Sequence, residues 1–266
     1  MALVPTNEMV SARDEYPVRE IGLHDLQIAL AQGWEDFMAK RGDLIFLGIL
    51  YPFVIFMATA VVLNASILPL LFPFVAGSVV FGPAVASGYY ELARRREQNL
   101  DAQWRHFFDV VRGPSALDLA GLTSINVLLF MAWVLAAGII YGTTLGSQAP
   151  DGFEMLSRFL EAVFTTTEGW TMIIVGNLVG LVFVIVALAI SVVSFPMVVD
   201  KRVSWKVAML TSVRVTRKNP MTIAVWGLIV VGSLLLGTLP ALIGLAVVFP
   251  VLGYATWHLY TLAVVR

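Results

Sequence analysis

Residues 170–199 read WTMIIVGNLVGLVFVIVALAISVVSFPMVV, a run without one Asp, Glu, Lys, Arg or His. Asp200, Lys201 and Arg202 follow at once. A helix crosses the hydrocarbon of a bilayer in about 20 residues, so this run is long enough to span, with residues to spare for tilt. Every backbone N–H and C=O in lipid must be paired, which leaves helices or closed barrels. The run is too long and too uniformly apolar for a barrel strand, so it reads as a membrane helix.

The same reading extends along the chain. Uncharged apolar runs at 44–63, 67–90, 119–141, 170–199, 221–237 and 239–265 predict six spans. Hydrophobic residues make up 59% of the 266 positions and charged residues 13%, with a mean hydropathy of +0.85; soluble domains carry about 25% charged residues. The expected organisation is a polar tail over 1–20 and a single membrane domain over 21–266. Glu8, Asp14, Glu15 and Glu20 mark the tail, which has no apolar core of the kind a cleavable leader needs. The absence of cysteine excludes disulfides and thiolate metal sites.

The basic residues give the orientation. Of seventeen Lys and Arg residues, Arg158 alone falls in the segments expected on the outer side. The others lie in 1–43, 91–118, 200–220 and at Arg266. The positive-inside rule then puts both termini in the cytoplasm, which requires an even number of spans.

The segments before the hairpins carry apolar stripes at helical spacing. Leu23, Leu26, Leu30, Trp34 and Phe37 form one; Trp104, Phe107, Phe108 and Val111 a second; Trp205, Met209 and Val213 a third. Breaker clusters follow: Arg41-Gly42-Asp43, Arg112-Gly113-Pro114 and Arg217-Lys218-Asn219-Pro220. The predicted fold is therefore all-α, six transmembrane helices as three hairpins, with amphipathic interfacial helices on the cytoplasmic face. Phe81-Gly82-Pro83, Phe195-Pro196 and Phe249-Pro250 recur in the returning helices. They suit either a threefold repeat or the chance recurrence of common membrane residues. A further amphipathic piece, capped by Asp151 and carrying Phe153, Leu156, Phe159, Leu160, Val163 and Phe164, is expected to rest on the outer membrane surface or on the outer ends of the bundle, with a partner-binding lid as the alternative.

Ionisable groups inside a membrane are the first suspects for function. The six runs hold no Asp, Glu, Lys or Arg, and His258 is their one histidine. That composition predicts no catalytic residues, no cofactor and no metal, and it leaves no two-histidine haem site. The candidate intramembrane polar or kink positions are Asn126, Asn177, His258, Pro83, Pro196 and Pro250. Asn177, within Gly176-Asn177-Leu178-Val179-Gly180, suits an amide bonding across to a neighbouring helix. His258 suits an interfacial polar group bonding within the bundle. The small residues from Ala76 to Gly88 predict a tightly packed central helix, with the Pro83 region either a kink or a broken-helix binding site. Arg94, Arg95 and Arg96 either set topology alone or also meet anionic lipid headgroups.

Several strings together resemble a bacterial family of integral membrane proteins of unknown function. They are Leu70-Leu71-Phe72-Pro73-Phe74-Val75-Ala76-Gly77, Gly88-Tyr89-Tyr90-Glu91-Leu92-Ala93-Arg94-Arg95-Arg96 and Ala189-Ile190-Ser191-Val192-Val193-Ser194-Phe195-Pro196. Leu210-Thr211-Ser212-Val213-Arg214 and Ala255-Thr256-Trp257-His258-Leu259-Tyr260 complete the set. Some members of that family carry the label of a cytochrome c oxidase subunit, which the histidine count does not support as a catalytic role. The resemblance implies a bacterial inner-membrane location and supplies no catalytic residue. Ser212-Val213-Arg214-Val215-Thr216-Arg217-Lys218-Asn219 is more loosely similar to membrane domains attached to some bacterial glycerophosphodiester phosphodiesterases. The functional expectation is a non-enzymatic accessory, assembly or scaffold protein beside another membrane complex, such as a respiratory one. The alternative is a small-molecule or lipid carrier. The lipid bilayer, including anionic lipid, is the expected partner; nucleic acid is not.

Overall fold

The computed structural model describes residues 16–39, 71–146, 155–239 and 243–266. The predicted span at 44–63, the start of the one at 67–90, and Asp151 and Phe153 lie outside them. The described residues are helical apart from turns, short extended segments and one isolated bridge between Val18 and Val264.

In chain order the helices are α1 (Leu23–Ala39), α2 (Leu71–Ser78), α3 (Gly82–Glu97), α4 (Ala116–Thr144), α5 (Met155–Thr165) and α6 (Thr167–Ser191). After them come α7 (Ser194–Lys201), α8 (Trp205–Lys218), α9 (Pro220–Thr238) and α10 (Leu245–Ala263). Tight 3-10 turns cover Val79–Phe81 and Trp104–Val111. Among the described residues four stretches are long and apolar enough to cross a membrane: Ala116–Thr144, Thr167–Lys201, Pro220–Thr238 and Leu245–Ala263. Each overlaps a predicted run. The last begins at Leu245 rather than 239, because Leu239 caps α9 and a turn at Ile243 and Gly244 leads into α10.

Proline and hydrogen-bond chemistry set the breaks. From Leu71 onward the predicted run at 67–90 is helix in two pieces, interrupted at Val79–Phe81 just before Pro83, which cannot donate to the preceding turn. α6 and α7 are likewise separated at Val192 and Val193, before Pro196. Pro250 is accommodated inside α10. Pro220 opens α9 as its first residue, where the missing N–H has no helical partner to lose.

The chain forms two compact units. The first comprises residues 1–52, 83–122 and 188–266. Its centre is α1 lying along α10. The stripe read from the sequence divides here. Leu26 and Phe37 are buried with Ala29 and Gly33, Leu30 is half-buried, and Leu23 and Trp34 are exposed. This helix, expected at the interface, thus presents its small-residue face to protein. A Cβ on Gly33 would stand 2.6 Å from the amide nitrogen of Ala255, so glycine allows this approach. Gly88 plays the same part against the Phe107 ring, 2.4 Å from its missing Cβ. The second predicted stripe, Trp104–Val111, is a 3-10 turn rather than an α-helix; Phe107 is buried and Trp104, Phe108 and Val111 are exposed. The third stripe is α-helical, α8, with Ser204 accepting from the Val207 amide at its start.

The segment before α1 is tied to the chain's far end. Arg19 N–H donates to Ala263 O at 2.9 Å, and Val265 N–H donates to Pro17 O at 3.0 Å. Asn219, read as part of a breaker cluster, holds this segment from below. Its Oδ1 accepts from Ile21 N–H at 2.9 Å and its Nδ2 donates to Arg19 O at 3.1 Å. Thr222 Oγ1 donates to Ile21 O at 2.9 Å.

The second unit comprises residues 53–82 and 123–187. Trp133 is its anchor. The indole Nε1–H donates to Pro73 O at 2.7 Å, and the ring fills the space left by Gly77 and Gly180. The amphipathic piece expected on the outer surface is α5, with Val163 buried and Leu160 and Phe164 exposed. Trp170 Nε1–H donates back to Phe164 O at 3.1 Å.

Candidate functional site

The ionisable groups of the first unit converge around the last turns of α3. Glu91 is buried although charged. It accepts from Arg94 Nε–H at 2.9 Å and from its NH2 group at 2.7 Å, a two-pronged pair, and from Arg95 Nε–H at 2.9 Å. Residues three and four apart on a helix share a face, so the pairing follows from the local sequence. Arg94 NH1 also reaches Gln98 Oε1 at 2.9 Å. Its guanidinium is held above its usual pKa range, first by that hydrogen bond to Glu91.

Arg95 links α3 to the 3-10 turn, with NH2 3.0 Å from Asp109 Oδ2. Asp109 also meets His106 Nδ1 at 2.7 Å. Arg105 pairs with Asp101 at 2.8 Å, and this contact holds the Asp101 carboxyl below its usual range.

Arg96 turns the other way, onto α1. Its Nε is 3.1 Å from Asp36 Oδ1. The second oxygen of Asp36 is 2.8 Å from His258 Nε2 on α10. One carboxylate from α1 thus joins α3 and α10. Next along α3, Glu97 meets the guanidinium of Arg266 through both of its oxygens and accepts from Trp257 Nε1–H at 3.3 Å. The hydrogen bonds from Arg266 hold the Glu97 carboxyl below its usual range. Tyr260 donates to Asp200 Oδ2 at 2.8 Å. The arginine run is therefore neither only a topology signal nor a free basic face: Arg94, Arg95 and Arg96 each have a carboxylate of the same chain.

A cleft of about 180 Å³ opens on this cluster, lined by Glu91, Arg94, Arg95, Asp109, Ser115 and Arg202 among others. Ser115 is buried and donates to Val198 O at 3.1 Å, which fixes the start of α4 to α7. Asp118 Oδ1, one turn on, accepts from Trp205 N–H at 3.0 Å. Among the described residues no group of three or more His, Asp or Glu side chains has a metal-binding arrangement. The chemistry on display is ion pairing and anion recognition by guanidinium.

The residues singled out from the sequence fall in different places. His258 joins this cluster. Asn126 is buried in the second unit, and its Nδ2–H donates to Val80 O at 2.9 Å, within the 3-10 break. Asn177 is exposed, and its amide donates to Ile173 O of its own helix at 2.8 Å rather than to a neighbouring helix. Pro83 and Pro196 flank the two breaks, and Pro250 lies buried in α10. Sequence reading missed Asp36, Asn219 and Trp133 as organising residues. Asp36 had one available signal, its place three residues after Gly33 and seven after Ala29, on one helical face.

A family model described as "Predicted integral membrane protein (DUF2189)" matches residues 71–200. It is the family of unknown function that the quoted strings resemble, and the match covers α2 through α7. No curated protein and no solved structure matches the chain.

Proposed function

We propose that this protein is a non-enzymatic scaffold or accessory component of a bacterial inner membrane, with six spans as three hairpins and both termini in the cytoplasm. One observation carries the functional part. The ionisable groups of the first unit are committed to one another across distant parts of the chain: Asp36 with Arg96 and His258, Glu91 and Asp109 with Arg95, Glu97 with Arg266. Such pairing fixes helices in place and leaves few side chains poised for proton transfer or nucleophilic attack.

The helix breaks that motivate a carrier are filled from within the same unit. Val80 O takes the Asn126 amide. At the second break, Val193 N–H donates to Ser212 Oγ at 3.4 Å and that hydroxyl donates to Ala189 O at 2.8 Å. A filled break favours packing over a substrate site.

The order of charges along the chain supports the sidedness: among the described Lys and Arg residues, Arg158 alone lies between Ala116–Thr144 and Thr167–Lys201, and none lies between Pro220–Thr238 and Leu245–Ala263. The basic ends of the apolar stretches, near Arg112, Lys201, Lys218 and Arg266, alternate between N- and C-terminal ends as successive spans require. The apolar run read from the sequence at 44–63 would, as a span, bring the N-terminus to the same side.

The functional reading is tested by purifying the tagged full chain from native membranes after chemical cross-linking. A recurrent membrane protein partner is expected, with respiratory complexes the first class to assay; elution of the chain alone in every preparation would sink the idea. Topology is tested separately, because the chain has no cysteine. In intact cells an impermeant maleimide should label Ser157→Cys and spare Gln103→Cys, and the reverse pattern overturns the orientation.

A further inference from the structure

Arg202 ends α7 with φ 51° and ψ 36°, in the left-handed region, its amide donating to Val198 O at 3.0 Å. A side chain bearing a Cβ costs about 1 kcal/mol there, and helices usually place Gly or Asn at such an end. The end of α3 obeys the rule, with Asn99 at φ 57°. An arginine in the same role points to a use for its side chain. Unlike Arg94, Arg95, Arg96 and Arg266, Arg202 has no carboxylate partner among the described residues.

Arg202 instead lines the cleft beside Arg94 and Arg95. The charged lining is three arginines, Glu91 and Asp109, so three positive charges less two negative leave a formal +1. Each guanidinium has five N–H donors. Arg94 and Arg95 each commit three of theirs within the chain, which holds both planes in place while leaving N–H groups for a ligand. The cleft also has a defined depth. Gly113, Pro114 and Ser115 immediately precede the spanning stretch Ala116–Thr144, and Val199 and Arg202 stand at the end of Thr167–Lys201. Both stretches end there, at the level where lipid headgroups lie.

We infer that this cleft binds the phosphate of an anionic lipid headgroup, with Arg94 and Arg95 as its fixed base and Arg202 as the arm that closes on the anion. A phosphodiester carries one negative charge, which balances the +1 of the lining. Arginine suits phosphate because its planar fork can donate two parallel hydrogen bonds. A scaffold and a carrier could both hold the same lipid at this cleft.

The test uses the full chain in nanodiscs and counts retained lipid by native mass spectrometry. Phosphatidylglycerol should be retained over phosphatidylcholine, and Arg202→Gly should lower that retention about five-fold, the scale of one basic contact near a membrane surface. Glycine suits the left-handed backbone, so the same variant should unfold at an equal or higher temperature, which separates lost binding from lost folding. Arg112→Gln, an exposed cation outside the cleft lining, should leave retention unchanged. Equal loss in both variants would mean general surface charge and overturn the site, as would full retention in Arg202→Gly. Inorganic phosphate binding in phosphatidylcholine nanodiscs, abolished by Arg202→Gly and without any phosphatidylglycerol preference, would assign the cleft to soluble phosphate and overturn the lipid assignment.

Discussion

Gly33 on α1 faces Ala255 on α10 so closely that a Cβ at position 33 would lie 2.6 Å from the Ala255 amide nitrogen and 2.8 Å from its Cα. The obstacle is backbone, so no side chain can swing away. Gly33→Ala should therefore force α1 off α10. Overpacking of this kind costs about 1–3 kcal/mol, and the better helix propensity of alanine returns about 1 kcal/mol. The net direction is destabilising, and Gly33→Val should be worse. Hydrogen exchange of α1 amides in nanodiscs reads the effect. Protection equal to wild type in Gly33→Val would show that the helices do not meet at this position.

Asp36 should be the electrostatic counterpart of that contact. Its carboxylate is shared by Arg96 and His258, from two other helices. Removing it in Asp36→Ala leaves half-buried His258 without this carboxylate, whereas exposed Arg96 keeps its hydrogen bond to Asp36 O, so the loss falls mainly on the histidine. A double-mutant cycle of Asp36→Asn with His258→Gln should give a coupling of about 0.5–3 kcal/mol, as for residues in one network. Additive effects in thermal unfolding would mean that the pair is not coupled.

These two relationships mark what a single sequence can and cannot disclose. Hydrophobicity sums over a local window, so the runs at 119–141, 170–199 and 221–237 are legible as helices within a few residues of Ala116–Thr144, Thr167–Lys201 and Pro220–Thr238. Proline chemistry is local too, and the breaks fall beside Pro83 and Pro196. What escapes is the identity of the surface that a polar or small residue meets. Asp36 and His258 are 222 positions apart. Nothing local tells whether Arg96 faces lipid, water or that carboxylate. Asn219 looks like a stop signal beside Pro220, yet its side chain serves the segment at Arg19 and Ile21. The stripe at Trp104–Val111 has the right period for an α-helix, yet the segment takes 3-10 geometry, and periodicity in so short a stretch does not tell the two apart.

The Glu97–Arg266 contact makes a pH-dependent prediction. Hydrogen bonds from Arg266 lower the Glu97 pKa below its ordinary value of 4.5. A depressed carboxyl contributes stability above its unfolded pKa, and the contribution is lost as pH falls through the folded one. The C-terminal contact should thus persist at neutral and mildly acidic pH and release only below the ordinary carboxyl range. The contribution is small, since the pair is partly solvated. Carbon NMR of the Glu97 carboxyl should show a midpoint below 4.5 that rises towards that value in Arg266→Gln. An unmoved midpoint in the variant would contradict the pairing.

Asn126 and Asn177 offer a paired comparison inside apolar helices. Asn126 is 1% exposed and caps the Val80 carbonyl within the 3-10 break. Asn126→Ala removes that donor from a site with little access to water, and an orphaned buried polar group costs about 1–3 kcal/mol. Alanine is also smaller, so the cavity term has the same sign. Asn177 is exposed and, among the described residues, bonds to Ile173 O of its own helix, a carbonyl the helix ladder can satisfy without it. Asn177→Ala improves helix propensity and should be neutral or mildly stabilising. Thermal unfolding of the full chain in nanodiscs should therefore fall by several degrees for the first variant and not for the second. The opposite order would mean that Asn177, not Asn126, carries the polar contact that matters, and would place a partner against the exposed face of α6.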